Sequence, residues 1–419
     1  MKSGFARSAL LLFLALRAGD LVNLAAGMWF VPRYVSPEEI GAVLPVASFA
    51  TFLSLPVFAF AMAVMRECAA LAADGDRGRI KSLLRGVFVV VAFATLAVLA
   101  AVTFLAPRFL SAMRVADTSV GALVASAAFL GCVAPVYTDA LQSLKRFGAL
   151  AAVEFGGALA RFLVMLVAMP VRALAGYFAG QAALPLFRIA ASVAALRRDL
   201  AVPPQPYWNR DNCHRLAFLF LAVIAYQAAP MAAALVEQTL LRTALSAADS
   251  AGFYMVSRFS DALYFLTFPL LLVLFPHTAE NARRGRPTGP LVLKCCAVTL
   301  AAAALAAAVF AAFGARLLAL LPHGSDYAAC ARLMPLLTIA TALTACQVFF
   351  TNAEVSAGRF SFLAWLVPLH LVYPAVLWLV ISHCGATFGT FVACMAAAAA
   401  ARFAFAAAAL LRQRHLAAR

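Results

Sequence analysis

The chain of 419 residues carries 33 Lys and Arg against 17 Asp and Glu, so charged residues make up 12% of it, where soluble domains have about 25%. Hydrophobic residues make up 65% and the mean hydropathy is +0.94, which leaves too little polar surface to coat a water-soluble globule and excludes a soluble enzyme. The net charge of +16 comes without any basic run interleaved with aromatics, which excludes a nucleic-acid binder.

A helix needs about 20 apolar residues to cross a hydrocarbon core, and its backbone must satisfy its own hydrogen bonds there. Twelve stretches qualify, near 8–30, 42–65, 86–106, 120–141, 151–169, 174–196, 216–236, 254–276, 291–313, 333–351, 362–381 and 386–410. Strand-period alternation is absent, so the expected fold class is an all-α polytopic membrane protein with about 12 transmembrane helices. The first stretch follows Lys2 and Arg7 like a secretory signal, but it contains Arg17 and Asp20 and lacks an A-x-A site, so an uncleaved helix is expected.

Lys and Arg in the short loops set orientation. With the N-terminus inside, 20 of them fall on inner segments, including Arg283, Arg284, Arg286 and Arg419, and 7 on outer ones. Both termini are therefore expected to be cytoplasmic.

An internal repeat follows. Arg33 and Gly41 in RYVSPEEIG have counterparts Arg242 and Gly252 in RTALSAADSAG; Arg108 in FLAPRFLSAM pairs with Arg316 in FGARLLALL; and KRF (Lys145 to Phe147) pairs with GRF (Gly358 to Phe360). The offsets run only from 208 to 213. Each repeat holds six spans, an even number, so the halves share one polarity and a pseudo-two-fold along the membrane normal. The expected domains are a six-helix bundle over 1–200, a proline-rich cytoplasmic linker over 201–215, and a second six-helix bundle over 216–419, with a transporter's cleft between the halves.

The loops offer little chemistry. The longest inner ones, 66–85 and 197–215, hold no Gly-rich phosphate cradle, no H-E-x-x-H and no Ser/His/Asp arrangement, and the largest outer one is 314–332. Asp74-Gly75-Asp76 reads as a polar turn before it reads as a metal pair. The nine cysteines show no metal-ligand spacing and read as small apolar packers, although Cys330 and Cys384 both fall on the outer side. No enzyme, metal or cofactor is expected.

Charges inside the spans are costly, about 2.5 to 3.5 kcal/mol each near the bilayer centre, and so must face a partner, a cavity or the headgroups. Lys294 lies near a span end and can snorkel. Arg17, Arg161, Arg188, Arg258 and Arg402 are the candidate substrate-binding residues, with Arg17 and Arg161 deepest. Asp20, Glu154 and Asp261 are the ion-coupling candidates, and Asp139 is a fourth acid at a span end. Arg17 with Asp20 and Arg258 with Asp261 share a helical face at i,i+3; Glu154 and Arg161 share one at seven residues. The bland reading makes these pairs that let a polar bundle insert. The sharper one makes the cationic surplus of two a cavity for a phosphate-bearing anion, which guanidinium matches with forked donors. Pro45, Pro56, Pro135, Pro185, Pro230, Pro269, Pro368 and Pro374 lie within spans, as bends or as hinges.

Three stretches carry a family resemblance: RYVSPEEIG (Arg33 to Gly41) with the later Arg66-Glu67; LQSLKRF (Leu141 to Phe147); and Glu237 through Gly252, Tyr254 and Arg258 to Pro269 and the LFP ending at Pro276. In order and placement they resemble the polysaccharide (O-antigen) flippase branch of the multidrug/oligosaccharidyl-lipid/polysaccharide (MOP) exporter superfamily, which is MATE-like. Glu237 stands where members commonly carry Asp. The resemblance implies a monomeric flippase that moves an undecaprenyl-pyrophosphate-linked oligosaccharide from the inner to the outer leaflet of a bacterial cytoplasmic membrane by alternating access. Its partners would be membrane lipids and the polymerase or glycosyltransferases of the same pathway. Rival readings are a cation-coupled multidrug exporter, which would want an acidic cavity; a peptidoglycan lipid-precursor flippase, whose relatives typically have fourteen spans; and a membrane enzyme or scaffold of glycan synthesis.

Overall fold

The computed structural model describes residues 2–115, 117, 119–263, 267, 270–271, 274, 277–278, 281, 287–356 and 359–417; Pro269, Pro276, Arg283, Arg284, Arg286, Gly358 and Arg419 lie outside them. Among the described residues every regular element is helical. In chain order these are α1 (Lys2–Ala25), a π-helical stretch (Ala26–Phe30), α2 (Val31–Tyr34), α3 (Pro37–Ala73), α4 (Arg77–Ala112), α5 (Ser119–Ser143), α6 (Phe147–Ala168), α7 (Ala173–Leu196), α8 (Arg210–Ala244), α9 (Ala247–Asp261), α10 (Gly289–Ala319), a 3-10 segment (Gly324–Leu333), α11 (Met334–Ser356), α12 (Leu363–Cys384) and α13 (Phe388–Ala417). Ten described helical segments are long and apolar enough to cross a membrane. The other two sequence stretches are 86–106, which lies on α4, and 254–276, which begins on α9 and passes outside the described residues. The chain is a multi-pass membrane protein.

Local chemistry explains where the helices start and stop. The Ser36 hydroxyl accepts from Glu39 N at 3.3 Å and donates to Glu39 Oε2 at 3.4 Å, a serine N-cap that starts α3 with Pro37 in its first turn. In the repeat-related position the Ser246 hydroxyl accepts from Asp249 N at 3.0 Å and donates to Asp249 Oδ2 at 2.9 Å, starting α9. The two stretches aligned by sequence thus make the same local device. Asp74 to Asp76 is the polar turn that sequence favours: Gly75 has φ +76°, and Asp76 Oδ1 accepts from Arg79 N at 3.0 Å. The stretches 66–85 and 314–332, read as loops from their charge, are mostly helix, because α3, α4 and α10 run on past their apolar segments. All the described span prolines sit inside continuous helices.

By packing, the chain forms two compact units. One comprises Met1–Val35 and Ala42–Leu235; the other comprises Ser36–Gly41 and Val236–Arg419. In the first, Val64, Cys68, Ile80, Leu83, Leu141 and Tyr207 belong to one buried core at the end where α3 turns into α4. The proline-rich segment before α8 is extended but docked on that end. Gln205 N donates to Gly78 O at 3.1 Å, Lys81 Nζ to Val202 O at 2.7 Å, and Trp208 Nε1 to Ser82 O at 3.1 Å. The Tyr207 hydroxyl donates to Glu67 Oε2 at 3.1 Å, and Arg215 reaches the same oxygen at 2.7 Å. Burial and the adjoining Glu67 carboxylate push the Tyr207 phenol up.

In the second unit, the buried Arg242 donates to Glu38 O at 2.6 Å, tying the start of α3 to the end of α8. A Cβ on Gly41 would lie 2.7 Å from Ser250 Cβ, so only glycine permits that approach. Cys330 and Cys384 are free thiols, and Cys330 packs against Gly252.

Candidate functional site

The first unit gathers its membrane-depth charges on α1, α6 and α7. Arg17 pairs with Asp20 at 3.0 Å across one turn of α1 and lies over the Phe13 ring at 5.8 Å. One turn on, Asn23 Oδ1 accepts from Arg161 Nη1 of α6 at 3.0 Å, just before the π stretch; such bulges occur often at functional sites. The Arg161 guanidinium also sits 5.8 Å from the centroid of Tyr177, on α7. Glu154 of α6 pairs with Arg188 of α7, not with Arg161 on its own helix. Asp139 of α5 lies within electrostatic reach of Glu154.

Glycines bring these helices together. A Cβ on Gly157 would stand 3.1 Å from Arg188 Cγ, and one on Gly180 would stand 3.0 Å from Arg161 O. Gly176 and Gly180 form a G-x-x-x-G pair on α7, the spacing that lets membrane helices approach closely. On the other flank, a Cβ on Gly19 would lie 3.3 Å from Ala158 Cβ, setting α1 against α6.

Arg161 differs from its neighbours. Among the described residues it makes no ion pair; its partners are an amide oxygen and an aromatic face, and its Nε is buried without a hydrogen-bond partner. The Nε of Arg188 is likewise buried and without one. Both groups keep donor capacity of the kind a phosphate oxygen accepts.

The second unit holds a different cluster. Arg258 of α9 pairs with Asp261 at 2.9 Å and lies 5.1 Å from the Tyr254 ring centroid. Arg402 of α13 lies 5.7 Å from the ring of Tyr373, on α12, whose hydroxyl donates to Glu237 Oε2 at 2.5 Å. Gln238 Nε2 adds a bond to Glu237 at 3.2 Å, and His370 Nδ1 lies 2.9 Å from Leu366 O. Sequence reading placed Glu237 just beyond a span; the structure sets it well inside α8 and half-buried, which narrows the cationic surplus by one. Asn23, Tyr177, Tyr373 and His370 were also not singled out, since neutral polar residues in apolar runs carry no charge signal.

Of the proposed site residues, Arg17, Asp20, Glu154, Arg161 and Arg188 come together in the first unit, while Arg258 and Asp261 in one place and Arg402 in another belong to the second. Among the described residues no three His, Cys, Asp or Glu side chains converge as metal ligands.

No family model and no curated protein matches the sequence. Solved structures do. An inward-facing multidrug resistance MATE transporter of the MOP superfamily matches with a TM-score of 0.67 at 14% identity, over 95% of this chain and 96% of that one. The lipid II flippase MurJ in an inward closed conformation gives 0.67 at 9% identity, over 96% and 86%. The fold is that of the MOP transporters. A third MOP superfamily transporter, from Pyrococcus furiosus and described as having a binding pocket of reversed polarity, gives 0.65 at 14% identity, over 96% and 95%. Proteins with this fold thus include both a multidrug resistance transporter and a lipid II flippase, so the fold alone does not choose a substrate.

Proposed function

We propose that this chain is a transporter of the flippase type whose substrate is an anionic, phosphate-bearing lipid-linked oligosaccharide. The observation that carries this reading is Arg161, a guanidinium in mid-helix with no carboxylate partner among the described residues, held by Asn23 and the Tyr177 face and keeping unused donors. A cation held there uncompensated is costly, which favours a site completed by an anion. The same unit argues against a cation exporter, because Asp20 and Glu154 are each engaged by an arginine. The full proposal is an undecaprenyl-pyrophosphate-linked glycan carried from the inner to the outer leaflet of a bacterial cytoplasmic membrane by a monomer with both termini inside, serving glycan-assembly enzymes.

The test is a leaflet-translocation assay in liposomes comparing an oligosaccharide pyrophosphate-lipid with a cationic dye. Movement of the glycolipid, lost in Arg161→Ala protein that still inserts and folds, is the expected result. Movement of the dye alone overturns the reading.

A further inference from the structure

A separate groove lies in the second unit, where α10 meets the 3-10 segment and the start of α11. Its volume is about 550 Å³, within the range of small-ligand sites. Its apolar lining comes from Phe310, Phe313 and Pro335, and each side also contributes one arginine, Arg316 in the last turn of α10 and Arg332 in the last turn of the 3-10 segment.

Several features make this a formed site. Gly314 is part of its lining, and a Cβ there would lie 3.2 Å from Met334 Sδ and 3.5 Å from Ala331, so the glycine sets how closely the two segments approach. The Phe310 ring is held edge-on by Phe259 with centroids 5.8 Å apart, while Phe313 is 48% exposed and opens the apolar wall to the surroundings. Neither arginine makes an ion pair or hydrogen bond among the described residues, although Asp326 lies on the same 3-10 segment, with its carboxylate 3.9 Å from His323 Nδ1. Two uncompensated guanidiniums and an exposed aromatic wall therefore share one groove at the end of two spanning segments, Gly289–Ala319 and Asp326–Val355.

We infer that this groove binds an anionic phospholipid: its phosphodiester is held between Arg316 and Arg332 and its acyl chain runs along Phe310 and Phe313. The occupant follows from charge and polarity together. A soluble phosphate would use the arginines and leave the aromatic wall idle; a zwitterionic lipid would bring its own cation against two guanidiniums. The groove shares no residue with the membrane-depth arginines of the first unit, so this assignment does not rest on the flippase reading.

The full-length protein is purified in detergent, and native mass spectrometry follows binding of added phosphatidylglycerol, phosphatidylcholine and glycerol 1-phosphate. Phosphatidylglycerol is expected to bind in preference to phosphatidylcholine, with glycerol 1-phosphate failing to compete at equal concentration. The Arg316→Ala, Arg332→Ala double variant is expected to lose about tenfold or more of that binding, at roughly a factor of several per cation. Both residues are exposed, so folding is not at risk; Arg108→Ala, the repeat-related position on α4, is the control and is expected to bind as the parent does. Equal binding of the two lipids, unaltered binding in the double variant, or a loss in Arg108→Ala as large as in the double variant overturns the assignment. Competition by glycerol 1-phosphate overturns it in favour of a free-phosphate site.

Discussion

The guanidinium of Arg188 on α7 bonds the carboxylate of Glu154 on α6, 34 residues earlier in the chain, with side chains 30% and 15% exposed. Glu154→Ala would remove the carboxylate that arginine bonds, leaving it only the more distant electrostatic reach of Asp20. Measured interhelical polar pairs in membranes average about 0.6 kcal/mol and reach about 1.7, and the stranded charge adds to this. The expected loss is about 1 to 3 kcal/mol, read as a lowered Tm in detergent. The double variant Glu154→Gln, Arg188→Gln is expected to lose less than Glu154→Ala, because neither charge is stranded; a double variant less stable than the single one would contradict the pairing.

Arg161 separates charge from geometry. Arg161→Lys keeps the cation but loses the planar fork, so translocation of a pyrophosphate-lipid is expected to fall between the parent and Arg161→Ala. For Arg161→Ala the expected loss is about ten- to a hundredfold, the worth of one charge-assisted bond at roughly 1.5 to 3 kcal/mol. Equal rates for the parent and both variants would remove Arg161 from the site.

The two serine N-caps give a matched pair of stability tests. Ser36→Ala and Ser246→Ala each remove a hydroxyl that satisfies a helix N-terminus, and each is expected to cost about 1 kcal/mol. Thermal unfolding of the two variants checks this, and a loss confined to one would mean that the repeat does not extend to the energetics.

Asp117 supplies a pH test outside the spans. Ser119 donates to its Oδ1 from both the hydroxyl, at 2.6 Å, and the backbone N, at 2.9 Å, and these bonds hold its carboxyl below the ordinary value of 3.8. A depressed folded pKa contributes stability above the unfolded value and loses it as pH falls through the folded one. Asp117→Asn is therefore expected to be less stable than the parent at pH 7, with the difference closing below about pH 4. A difference unchanged between pH 7 and pH 3 would contradict the assignment.

What could be read from sequence was what is local. Ser36-x-x-Glu39 and Ser246-x-x-Asp249 are capping signatures, and Arg17 with Asp20 and Arg258 with Asp261 are one turn apart, so each pairing follows from helix geometry alone. The partner of Glu154 was not local. It depends on how α7 lies against α6, which the glycines at 156, 157, 176 and 180 decide, and Gly176-x-x-x-Gly180 was the one signal that pointed there. Charge counting misses Glu237 for a related reason: the apolar stretch near 216–236 stops one residue short of it, whereas α8 continues to Ala244.

The seat of Trp208 makes the segment before α8 something other than a free tether. A Cβ on Gly86 would fall 2.2 Å from the indole, so the ring occupies the volume a side chain would claim there, and Gln205 lies over Gly78 in the same way. A nitroxide at Gln205 should then report the slow tumbling of the helices beneath it, not the nanosecond spectrum of a coil. Gly86→Val should convert one lineshape into the other.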